Sequence, residues 1–197
     1  LGDLSTSHRD YAGAVDFYAK VLTIDSTNAR ATHSIALCYD YLGQRDNAMT
    51  AYERALRARP DIKDLRFNYG RLFYLREEYD KAIEQFAMVL ALDPNDLDAN
   101  INAGIAYLKI GEKSNKAIQD IEAKGMNITK QQAKDVETFK AQQKEIFAKG
   151  IPYLEKATEV APTNAGAWFN LGVAYIRAGE TQKGQEAVQK SEELAGK

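Results

Sequence analysis

Pro60, Pro94 and Pro162 stand 34 and 68 residues apart, and several other residue types keep the same interval. Ala14, Ala48 and Ala82 are 34 apart, as are Tyr18, Tyr52 and Phe86. Tyr39, Phe73, Tyr107 and Tyr175 form a second aromatic series, and Gly70, Gly104 and Gly172 a series of glycines. One period shared by independent residue types marks an array of small stacked units, each burying its apolar face only against its neighbours.

Each period reads as two helices. Ala31 to Leu42 sets Ile35, Cys38, Tyr39 and Leu42 at three- and four-residue spacing, and Gly43 stops the run. Asn47 to Ala58 places Ala48, Ala51, Tyr52, Ala55 and Leu56 on a second helical face. Arg59-Pro60-Asp61 then breaks the chain, because proline cannot continue a helix interior. Leu65 to Leu75 and Tyr79 to Leu92 repeat the arrangement. A glycine inside a helix costs up to about 1 kcal/mol relative to alanine. Three of them in one register predict close helix contact, with the aromatic series filling the gaps between.

Trp168, Leu171, Gly172 and Tyr175, with Ala48, Tyr52, Ala55 and Pro60, resemble the tetratricopeptide-repeat pattern Trp-x2-Leu-Gly-x2-Tyr, Ala-x3-Phe, Ala, Pro. The resemblance implies an all-α fold, a right-handed superhelical solenoid of antiparallel helix pairs. Its units are 1–28 (incomplete, with Leu1-Gly2 at the Leu-Gly position), 29–62, 63–96, 97–164 (interrupted) and 165–197, the last ending in a capping helix. Ser26 departs from the proline position, Gly150 and Gly184 from the packing alanine, and Ser191 from the later alanine. These departures are expected to weaken individual interfaces.

The interruption lies near 113–146. The first helix of that unit is expected to end at Gly111, yet its partner resumes recognisably only at Gly150-Ile151-Pro152. An inserted helical hairpin is favoured over a degenerate whole repeat, since Lys116, Asp120, Thr138 and Ile128 would fall on positions that call for small, aromatic or proline residues. Lys116 to Lys124 would be one helix, Gly125 to Asn127 a turn, and Thr129-Lys130-Gln131-Gln132 a capping box opening a long helix toward Leu154, with a kink at Pro152 left open. The segment carries seven lysines and five acidic residues. It could simply pack on the array or protrude toward a partner.

In the family, first helices line a concave groove. The resemblance therefore implies a peptide-binding groove of His33, Tyr41, Phe67, Asn68, Arg71, Tyr74, Ile101, Asn102, Ile105, Lys109, Phe169, Asn170, Val173 and Arg177, with Arg30 and Leu37 beside them. Asn68, Asn102 and Asn170 recur two residues before the glycine, and an amide both donates and accepts, so a ladder of them could grip an extended backbone. Shared ancestry or local hydrogen bonds are the simpler explanation. Arg30, Arg71, Lys109 and Arg177 are set against Asp40, Asp64 and Asp98. The Lys and Asn pattern of carboxylate-clamping relatives is not reproduced, and an apolar or amphipathic segment fits the groove better.

Other classes find little support. Net charge is −2, from 26 basic and 28 acidic residues, so no nucleic-acid partner is expected. The longest apolar run, Phe86 to Leu92, is too short to span a bilayer. Cys38 is the single cysteine and is expected to be buried and unreactive; His8 and His33 have no nucleophile or ligand spacing around them. No catalytic residue, metal site or cofactor is expected, and the chain is read as non-enzymatic. The start at Leu1, with no methionine or signal-like stretch, reads as trimmed; a soluble protein is expected, its compartment left open, with cytoplasmic slightly favoured over exported or periplasmic. The expected partner is a protein or peptide. The alternative is a self-assembling solenoid that forms homo-oligomers through its N-terminal end or the insertion.

Overall fold

The computed structural model describes residues 10–196, and its regular elements are helical. Leu1, Gly2 and His8 lie outside the described residues. The described chain forms two compact units, the first ending at Arg76 and the second beginning at Glu77. Among the described residues no helix is long and apolar enough to cross a membrane.

The first unit contains α1 (Tyr11–Ile24), α2 (Ala29–Tyr41), α3 (Arg45–Ala58) and α4 (Lys63–Leu75). Side-chain caps start two of them: Asp10 accepts from the Gly13 N–H and Asn28 from the Ala31 N–H, each at 2.9 Å. Gly43, with φ of 70°, turns the chain from α2 into α3. Successive helices joined by such short turns pack side by side and antiparallel. Their core holds Ala14, Tyr18, Ala36, Ala48, Tyr52 and Leu72. Ala36 and Ala48 are fully buried, so small residues sit where the paired helices meet. Cys38 is buried as expected, and burial pushes its thiol pKa up.

The second unit contains α5 (Tyr79–Leu92), α6 (Leu97–Glu112), α7 (Asn115–Glu122), a 3-10 turn (Gly125–Asn127), α8 (Lys130–Val160), α9 (Ala165–Ala178) and α10 (Thr181–Ala195). The left-handed residue that follows a first helix recurs at Glu77, with φ of 61°, and at Gly179, with φ of 99°. Gly111 holds the same repeat position but lies inside α6, which runs on to Glu112 rather than stopping. A Cβ at Gly111 would come within 2.6 Å of the Phe147 ring, so this glycine serves close contact with α8 instead of a turn. The chain thereby misses the usual reversal and continues into α7.

α7 and the first half of α8 are tied together by named contacts. Thr129 and Gln132 form a reciprocal capping box at the start of α8. Ile118 and Val136 are buried, and Lys140 pairs with Glu122 at 2.6 Å. Buried Gln143 donates to the Gly111 carbonyl at 2.9 Å and to the Asn115 side chain at 2.8 Å, joining α8 to the end of α6 and the start of α7. α8 is a single 31-residue helix that passes through Pro152. Pro152 and Ala148 are both exposed, so the carbonyl that proline leaves without a donor faces water.

Of the departures expected to weaken interfaces, Gly150, Gly184 and Ser191 instead make close helix contacts. A Cβ at Gly184 would lie 2.9 Å from the Gly172 carbonyl oxygen, and one at Gly172 would lie 2.9 Å from the Gly184 carbonyl oxygen. The two backbones touch, which only a pair of glycines permits. Gly150 approaches the Gly104 carbonyl and Tyr107 less closely, a Cβ there lying 3.1 Å from each, while Leu154 fills the surface left by Gly104. Ser191 is buried and donates to the Ala165 carbonyl at 2.8 Å, so it adds a bond between α10 and α9.

Candidate functional site

The expected groove residues divide between the two units. In the first, α2 supplies His33 and Tyr41, and α4 supplies Phe67, Asn68, Arg71 and Tyr74. Tyr41 is 67% exposed and stacks on Tyr11 of α1, ring centroids 4.7 Å apart and 14° from parallel. Phe67, Asn68, Arg71 and Tyr74 are half-buried. Arg71 donates to the Asp40 carboxylate, which joins α4 to α2 and commits part of the guanidinium fork within the chain. Half-buried His33 has its pKa lowered by burial, against a smaller opposing effect from Asp64. Beneath this face, the fully buried Tyr52 hydroxyl has no hydrogen-bond partner. Burial and the Asp40 charge push its pKa upward.

In the second unit the face is built by α6 and α9, which are in contact. Ile101, Asn102, Ile105 and Lys109 on α6 are half-buried. On α9, Asn170 and Val173 are half-buried, Arg177 is exposed, and Phe169 is 52% exposed. Opposite them on α9, Ala167, Leu171, Ala174 and Tyr175 are buried. Asn102 donates from its amide to the Asp98 carbonyl at 2.7 Å, a bond within its own helix. That leaves its oxygen and one N–H for other work. Lys109 pairs with Glu112 at 3.0 Å.

A recurring bond at the repeat junctions was not foreseen from the sequence. Arg66 donates to the Pro60 carbonyl at 2.7 Å, Asn100 to the Pro94 carbonyl at 3.1 Å, and Trp168 to the Pro162 carbonyl at 2.9 Å. Three unlike side chains thus perform one task six residues after Pro60, Pro94 and Pro162. Donor capacity and reach decide the position, which explains how arginine and asparagine can replace tryptophan in the pattern. The signal was available as a donor at constant distance from proline.

Models of the tetratricopeptide-repeat family match residues 35–97 and residues 153–186. The chain is a tetratricopeptide-repeat protein. The general transcriptional corepressor trfA of Dictyostelium discoideum is 33% identical over 95 residues, which is 47% of this chain and 7% of that protein. The crystal structure of MamA superposes with a TM-score of 0.77 at 19% identity, covering all of this chain and 95% of that one. YrrB, described as a TPR protein with an unusual peptide-binding site, superposes with a TM-score of 0.72 at 22% identity, covering 98% and 82% of the two chains. These likenesses establish the all-α tetratricopeptide fold.

Proposed function

We propose that this tetratricopeptide-repeat protein is a protein-interaction scaffold whose first-helix faces hold a peptide or protein segment. The observation that carries the reading is Phe169, an aromatic ring 52% exposed on a helix whose opposite side is buried. Ile101, Ile105 and Val173 give the same unit further apolar surface, and Asn102 and Asn170 place amides among them. Such a face suits an amphipathic segment, anchored by apolar side chains and aligned through backbone hydrogen bonds. Arg177 adds an exposed cation at the C-terminal end of α9. In the first unit, Tyr41, Phe67 and Tyr74 offer a comparable aromatic surface, with Arg71 held by Asp40.

The same reading divides the chain into repeats at 29–62, 63–96, 97–164 and 165–197 after an incomplete first unit at 1–28. The α7–α8 hairpin near 113–146 interrupts the fourth. The test uses peptides selected from a random library on the intact chain, with affinity measured by fluorescence anisotropy. Phe169→Ala combined with Asn102→Ala should weaken the selected peptides by roughly tenfold or more, as expected for an aromatic anchor. Unchanged affinity in the folded double variant would refute the assignment.

A further inference from the structure

A cavity of about 470 Å³ lies between α1, α2 and α3 of the first unit, on a face of α2 that carries none of the groove residues. The residues that decide its chemistry are Ala19 and Thr23 of α1, Thr32 and Tyr39 of α2, and Thr50 and Arg54 of α3. The residues 136 positions later, four periods of 34, are Glu155, Glu159, Trp168, Tyr175, Glu186 and Lys190. Those six line a more open cleft in the second unit. The chain therefore contains two versions of one site.

In the second unit the site is furnished by the chain itself. The Trp168 indole donates to the Pro162 carbonyl, and Tyr175 donates its hydroxyl to Glu155. Burial and this carboxylate push the Tyr175 pKa upward. In the first unit the tyrosine and the cation remain, as Tyr39 and Arg54, but the indole is reduced to Thr32 and the three carboxylates to Ala19, Thr23 and Thr50. Thr23, Thr32 and Thr50 each donate to a carbonyl of their own helix or its cap, which turns their hydroxyls back onto the backbone. The carbonyl equivalent to that of Pro162 belongs to Ser26. Arg54 reaches it at 3.3 Å, a long bond that leaves most of the guanidinium donors unspent.

We propose that this cavity is a second recognition site, which takes an aromatic side chain flanked by a carboxylate, presented by a partner peptide. The ligand supplies the two groups that the second unit has and the first lacks. Its ring enters the space left beside Thr32, where the second unit carries Trp168. Its carboxylate meets the Tyr39 hydroxyl and the Arg54 guanidinium, the one charged group of the lining. An indole donor would also relieve Arg54 of the Ser26 carbonyl.

The test titrates the isotope-labelled full chain with acetyl-Gly-Trp-Glu-Gly amide and follows the backbone amide resonances of Thr23, Thr32, Thr50 and Ala51. Saturable shifts are expected at these residues, about tenfold weaker with glutamine in place of the peptide's glutamate, which loses one charge-assisted contact. A leucine in place of its tryptophan should abolish them. Thr32→Trp fills the space and Ala19→Glu gives Tyr39 its own carboxylate; each should remove binding, whereas Phe169→Ala in the second unit should not. No shift at millimolar peptide, or undiminished binding by a folded Thr32→Trp chain, overturns the proposal. If Thr32→Trp does not fold, undiminished binding by Ala19→Glu overturns it equally.

Discussion

Gly184 stands where the repeat pattern carries alanine, and the Gly184→Ala variant sets two effects of known size against each other. Alanine in a helix interior is favoured over glycine by roughly 0.8 to 1 kcal/mol. Against that gain, a Cβ at residue 184 would lie 2.9 Å from the Gly172 carbonyl oxygen and 2.9 Å from the Ile176 backbone nitrogen. A rotamer change can move the Ile176 side chain, but it cannot move those backbone atoms. α9 and α10 must therefore separate, and the close seat of Gly172 against Val188 is lost with them. Overpacking of this kind costs about 1 to 3 kcal/mol, with backbone obstruction toward the upper end. The net expectation is a loss of about 1 to 2 kcal/mol, or about 2 to 8 °C in midpoint for a chain of this size. Gly150→Ala is the internal control. Its nearest obstacles, the Gly104 oxygen and the Tyr107 Cβ, stand at 3.1 Å, so small adjustments suffice and the change should be near zero. Urea denaturation of the three proteins, followed by far-ultraviolet circular dichroism, measures both. A Gly184→Ala chain as stable as the parent would refute the argument that paired glycines are required at this crossing.

Three further outcomes are expected. Tyr52→Phe should be neutral or stabilising by up to about 1 kcal/mol, because it removes a buried hydroxyl without a partner and Phe86 fills the same repeat position fully buried; a clear loss in urea denaturation would count against it. Glu77→Gly should stabilise by about 0.5 to 1 kcal/mol, since Glu77 holds the left-handed conformation that glycine adopts at 43 and 179, and an unchanged or lower denaturation midpoint would contradict this. His33 is held below its ordinary pKa of 6.5, so the unfolded chain takes up the proton first. Its contribution to stability is complete above the unfolded value and lost as pH falls through it toward the folded one. Between pH about 7.5 and about 5 the thermal midpoint of the parent should drop more than that of His33→Gln, and parallel curves would rule this out.

The parts of the fold legible in the sequence are those encoded by local chemistry. Gly43 marks a left-handed turn, Pro60 and Pro94 mark the breaks, and Thr129 with Gln132 announces the start of α8. Each of these signals acts within a few residues of itself. Helix contacts between distant residues were harder to read. Gly184 looked like a defect because its meaning lies in Gly172, twelve positions away along the chain and directly against it in space. Gly111 carried the usual signal for a turn, but contact with Phe147 from α8 keeps it helical. Among the groove candidates, the charge of Arg71 was visible while its pairing with Asp40, 31 residues away, was not. Asn102 shows the opposite case. Its bond to Asp98 is local, and the four-residue spacing permits it in any helix.

Site-specific photo-crosslinking tests whether the first-helix faces hold a partner segment. A benzophenone amino acid would replace Phe169 on α9 in one chain and the exposed Gln189 on α10 in another. Each would be irradiated with the library-selected peptide, and adducts would be located by mass spectrometry. A peptide adduct is expected at residue 169 and none at residue 189. An adduct at 189 without one at 169 would contradict this.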